Sequence, residues 1–125
     1  MIDGAPTPVA PFSHAVEVDG WLFVTGQMPT DPNDDSVPLP EGIEMQTRRV
    51  MDNLSLVLNA VDLDLSHVIS MRVYLKEFKE HYEVMNRIYA SYFHTDRRPA
   101  RTCVGVTGLA LDALVEIDCI AKRSS

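Results

Sequence analysis

The sequence predicts an α+β fold of order ββαβαββ, a mixed sheet with two helices on one face, formed by residues 1–125 as a single domain. Three observations carry this reading. Two segments repeat their apolar residues at helical spacing. Five shorter segments are rich in β-branched residues or alternate apolar with polar. The 125 residues are enough to bury one core.

The first twelve residues hold three prolines and read as extended. "HAVEV" (14–18) and "WLFVTG" (21–26) are strands joined by Asp19-Gly20, a strong hairpin signal. Residues 28–42 carry four prolines and four acids, so they read as a solvated surface loop. From Ile43 to about Val61 the apolar residues fall at 43, 50, 51, 54, 57, 58 and 61, the pattern of an amphipathic helix. "DLDLSH" (62–67) interrupts it. "VISMRVYLK" (68–76) is a strand with Ile69, Met71, Val73 and Leu75 on one face and Ser70, Arg72 and Tyr74 on the other. A second helix is predicted from about Lys79 to Phe93, its Tyr82, Met85, Ile88, Tyr89 and Tyr92 forming a core stripe. Strands at 101–106 and about 114–121 complete the sheet.

Alternation puts Arg101, Cys103 and Gly105 on one face of their strand, and Thr102, Val104 and Val106 on the other. The second set reads as core. The first is then expected on the uncovered sheet face, with Arg72, Tyr74, Glu116 and Asp118. A half-apolar open face predicts a homo-oligomer that packs sheet against sheet. Arg101 could simply pair with Glu116 or Asp118 across strands. It could equally grip a carboxylate through the planar fork of its guanidinium. Glu116 could orient or deprotonate a water. Cys103 reads as a small filler rather than a nucleophile, since no base is placed beside it by sequence.

Eleven basic residues against eighteen acids give a net charge of −7, which argues against a general nucleic-acid binder. The four histidines are scattered and Cys103 and Cys119 are far apart, so no metal site is read. No apolar run reaches the length of a membrane span, and the amino-terminal residues lack the pattern of a signal peptide. A cytoplasmic location is the expectation.

"APFSHAV", "FVTGQMP", "MDNLSLVLNAV", "VISMRVYLK", "MNRIYASYF", "PARTCVGV" and "VEIDCIA" together resemble the RidA family, also called YjgF/YER057c/UK114, over nearly the full length. The most specific piece is Pro-Ala-Arg with a glutamate fifteen residues after the arginine. The resemblance implies a chorismate-mutase-like fold and a homotrimer with sites between subunits. It implies hydrolysis of reactive enamines and imines, such as 2-aminoacrylate and 2-iminobutanoate, to 2-keto acids and ammonia, with no cofactor. By position it makes Arg101 the holder of the substrate carboxylate and Glu116 the residue that positions water. It makes Cys103 and Asn86 pocket residues, with Thr25, Gly26 and Phe12 also contributing. Phe12 stands where many members have tyrosine, and Thr25 where many have serine. Both departures bear on substrate preference. The alternatives are a deaminase of a larger amino-dienoate such as 2-aminomuconate, and a non-catalytic trimer that binds a small acid. An endoribonuclease reading fits the acidic balance poorly.

Overall fold

The computed structural model describes residues 13–34 and 36–124. Phe12 and the extended segment before it lie outside the described residues. Five strands form one sheet: β1 (Ala15–Val18), β2 (Trp21–Gln27), β3 (Val68–Lys76), β4 (Ala100–Val106) and β5 (Val115–Lys122). Their spatial order is β1-β2-β5-β3-β4. Only β3 and β4 run parallel, and the crossover between them is the second helix. Helices α1 (Ile43–Ala60) and α2 (Phe78–Ala90) cover one face. The element order is the one the sequence predicts, with ends shifted by up to three residues.

The core lies between that face and the helices. Leu22 and Val24 of β2, Met71, Val73 and Leu75 of β3, and Val115, Ile117, Cys119 and Ala121 of β5 meet Val50, Met51, Leu54, Val57 and Leu58 of α1 and Met85 of α2. Two buried polar side chains tie loops to this layer, and a third, Gln27, braces its own strand. Asn53 donates through Nδ2 to the carbonyls of Met28 and Thr30, both at 2.9 Å, and so anchors the chain leaving β2. Gln46 accepts the Leu114 N–H at 2.8 Å and donates to the Pro40 carbonyl at 3.0 Å, which fixes the approach to β5. Gln27 donates to the Thr25 carbonyl at 3.0 Å.

Two assignments to sheet faces are corrected. In β3, a register irregularity against β5 between Val68 and Ser70 breaks the alternation. Val68 therefore joins the core and Ile69 is left 49% exposed. The larger correction concerns β4. Arg101 is aligned with Met71, Cys103 with Val73 and Gly105 with Leu75. Neighbours in register share a face, so Arg101, Cys103 and Gly105 lie on the helix-covered side. Thr102 and Val104 lie on the open side, and Val104 is 43% exposed. The cause is the packing of α2. A Cβ on Gly105 would come within 3.0 Å of the Phe78 Cβ, so the small residues of β4 are the ones that admit the helix.

The open face holds Val16, Val18, Trp21 and Phe23 at one end and Arg72, Tyr74, Glu116 and Asp118 at the other. Arg72 makes a two-pronged pair with Asp118, at 2.9 Å from Nε and 2.8 Å from Nη2. Asp118 is thus taken by Arg72 rather than by Arg101.

Candidate active site

Residues 82, 86 and 89 lie one and two turns apart on one stripe of α2. That stripe faces the start of β4. Arg101 reaches up from the strand into it. Its Nη1 donates to Asn86 Oδ1 at 2.7 Å and its Nη2 to the Tyr82 hydroxyl at 3.4 Å. The guanidinium carbon lies 5.0 Å from the Tyr89 ring centre and 5.9 Å from that of Tyr82. Tyr82 is itself stacked on Phe78, with ring centres 4.6 Å apart. Every one of these partners is neutral. No carboxylate among the described residues forms an ion pair with Arg101. The guanidinium is held in place with donors to spare, the state of an anion receptor. It opens onto a cavity of about 260 Å³ lined by Asn86, Tyr89, Ala90, Arg98, Pro99 and Arg101. Cys103, two residues along the same face, packs against the core, and burial pushes its thiol pKa up. That environment suits a filler and opposes a thiolate.

A second arrangement forms around Glu116. Its strand β5 pairs with β2, and the register shifts between Val24 and Gln27, at Thr25 and Gly26. Glycine is needed there for space. A Cβ on Gly26 would lie 2.2 Å from Glu116 Oε2 and 3.2 Å from its Cγ, so the carboxylate rests directly on the Gly26 backbone. The Thr25 hydroxyl is turned away, donating to the Ser13 carbonyl at 2.5 Å. The Glu116 carboxylate receives no hydrogen bond from the described residues. Burial, and then the Asp118 charge two residues on, raise its pKa above the ordinary 4.5. An acceptor in this state can hold a water and take a proton from it.

Arg101 and Glu116 do not meet within one chain. β3 stands between their strands, a separation of about 10 Å. They also project from opposite faces of the sheet. The structure therefore groups Arg101, Asn86 and Cys103 on one side, and Glu116, Gly26 and Thr25 on the other. Phe12 lies outside the described residues. Tyr82 and Tyr89 join the Arg101 group although the sequence reading gave them only to the core. The available signal was Asn86, a polar residue set between them in an otherwise apolar stripe.

A model of the family described as Endoribonuclease L-PSP matches residues 2–123. The chain belongs to this family, known also as RidA or YjgF. A RutC family protein of Pyrococcus horikoshii is 39% identical over 121 residues, 97% of this chain and 94% of the relative. The solved RidA of an Antarctic Psychrobacter superposes with a TM-score of 0.89 at 29% identity, covering 98% of this chain and 96% of its own. E. coli TdcF, solved with bound serine, superposes with a TM-score of 0.89 at 27% identity, covering 99% and 98%. RidA family membership thus agrees with the fold, which superposes on these solved structures over nearly the whole chain.

The raised pKa of Glu116 has a measurable consequence. A carboxyl whose pKa is higher folded than unfolded adds stability below the unfolded value, and loses it as pH rises through the folded value. Ionised Glu116 is thus a burden near neutrality. Glu116→Gln is expected to melt at a higher temperature than wild type at pH 7, and to lose that advantage at pH 4. Thermal melts at the two pH values check this; an equal difference at both would mean that Glu116 is not perturbed.

Proposed function

We propose that this RidA family protein hydrolyses small 2-imino acids, formed from reactive enamines such as 2-aminoacrylate, to 2-keto acids and ammonia. The observation that carries the reading is the unpaired guanidinium of Arg101, held by neutral groups in a chain of net charge −7. In such a chain an arginine kept clear of its own acids is suited to an acid from outside. The serine bound to E. coli TdcF, a small molecule with a carboxylate, supports the same class of ligand.

Arg101 grips the carboxylate through two parallel hydrogen bonds and fixes the C=N carbon. The enamine takes a proton on carbon to become the imine. Water attacks the imine carbon while Glu116 accepts its proton. The carbinolamine collapses, its nitrogen leaves as ammonia, and the keto acid remains. Water is the only co-reactant, and no cofactor enters this chemistry. Positioning and proton transfer of about 10²- to 10⁴-fold suffice for a reaction that is quick unaided.

The two groups stand on opposite faces of one sheet, so the proposed site is completed by a second copy. A cyclic homotrimer with sites between subunits meets that need and covers the exposed Val16, Val18, Trp21 and Phe23. RNA cleavage, the activity for which the family is described, is favoured less by the acidic chain, since tracking a phosphate backbone calls for a cationic surface.

The test is ammonia and keto acid release from imines made in situ by an amino-acid oxidase. Wild type is expected to accelerate release, and Arg101→Ala and Glu116→Gln to fail. The two variants, unfolded together and refolded as a mixture, are expected to recover about a quarter of the wild-type sites. That is the share of interfaces in which an intact Arg101 faces an intact Glu116. If wild type recovers under the same procedure and the mixture stays inactive, the shared site is wrong.

A further inference from the structure

The cavity at Arg101 has a second arginine. Arg98 lines it from the segment just before β4, and its side chain, like that of Arg101, has no carboxylate partner among the described residues. Four other arginines of this acidic chain find acids, while Arg49 and Arg97 form no ion pair among the described residues. Arg72 pairs with Asp118, Arg123 with Glu17, and Arg48 and Arg87 share Glu44. Arg98 is exposed at the rim of the cavity and Arg101 half-buried within it, so two guanidiniums without acid partners among the described residues face one cleft. Both act on the phenol of Tyr89, which lines the same cavity, and each lowers its pKa against the stronger effect of burial. Pro99 fixes the chain at this point and keeps Arg98 extended, so the two Cα atoms are within about 10 Å.

We infer that the pocket between α2 and β4 receives a dicarboxylate, Arg101 taking the carboxylate beside the reacting carbon and Arg98 the distal one. The inference rests on the reading of Arg101 as a carboxylate holder and adds the class of acid. The size agrees. A cleft of about 260 Å³ has room for a five-carbon dicarboxylate between the two guanidiniums. Arg98 touches the far end of the ligand and takes no part in the chemistry. Its removal should therefore act on binding of the distal group alone.

Calorimetric titration of wild type and Arg98→Ala with 2-oxoglutarate and with 2-oxobutanoate decides the matter. These keto acids share the reacting end and differ in the distal carboxylate. Wild type is expected to bind 2-oxoglutarate about 10-fold more tightly than 2-oxobutanoate, as one added charge-assisted contact provides. Arg98→Ala is expected to remove that preference and to leave 2-oxobutanoate within about twofold of wild type; Arg98→Lys is expected to keep part of it. Equal affinities in wild type, or a preference that survives in Arg98→Ala, would overturn the inference and leave the role of Arg101 standing. Binding of neither acid would overturn both.

Discussion

Arg101→Ala is expected to lower kcat/KM for a small imino acid by about 100- to 1000-fold, with little change in melting temperature. The two parts of this result have separate causes. A lost two-pronged contact between guanidinium and carboxylate is worth about 3–4 kcal/mol at a desolvated site, which gives the stated factor. Stability is spared because the partners Asn86 and Tyr82 are neutral and half-buried. Removing Arg101 strands no charge; water can satisfy the freed amide and hydroxyl. Arg101→Lys restores the charge but not the fork, and should recover only part of the loss. Steady-state kinetics beside thermal melts check both parts. A large fall in melting temperature would mean that Arg101 is a structural brace, and unchanged kinetics would remove it from the substrate.

The second large effect is expected at a residue with no functional group. Gly26→Ala should reduce kcat by about 10- to 100-fold while the protein stays folded. The added Cβ needs the space of Glu116 Oε2, 2.2 Å away. That atom is the free end of a flexible side chain, so the carboxylate swings aside and the strand holds its place. A displacement of about 1 Å in a catalytic group is enough for a loss of that order. The variant should also lose the pH-dependent difference in melting temperature that Glu116→Gln reveals, because its carboxyl moves toward water and its pKa falls toward 4.5. Full activity in Gly26→Ala would mean that the position of Glu116 does not govern the reaction.

Much of this architecture is legible in the residues. The periods of 43–61 and 68–76, and Asp19-Gly20, place α1, β3 and the first hairpin within a few positions. Arg101 and Glu116 stand out because a charged residue in an apolar strand needs a reason. The face of β4 is another matter. Alternation says which residues share a side but not which side is covered. Val104 and Val106 look like core, and an arginine looks like surface. The deciding residues are the inconspicuous ones: Gly105 is small because Phe78 lies against it, and Cys103 because α2 passes overhead. Likewise nothing local in β3 announces the irregularity that exposes Ile69, since it arises from pairing with β5. Tyr82 and Tyr89 pass for ordinary core rings until the pairing of β3 with β4 brings Arg101 beneath them. The separation of Arg101 from Glu116 follows from strand order, which the linear chain does not carry.

That separation bears on how such a protein can change over generations. In the proposed reaction the grip on the acid belongs to α2 and β4, and the carboxylate for water to β2 and β5. No side-chain hydrogen bond or ion pair among the described residues joins Arg101 to Glu116 in one copy. Substitutions that retune the acid, at Arg98 or Tyr82, leave the packing around Glu116 and Gly26 untouched. If the proposed roles hold, diversity in what is recognised can accumulate on one side of the sheet while the chemistry around Glu116 is inherited unaltered on the other.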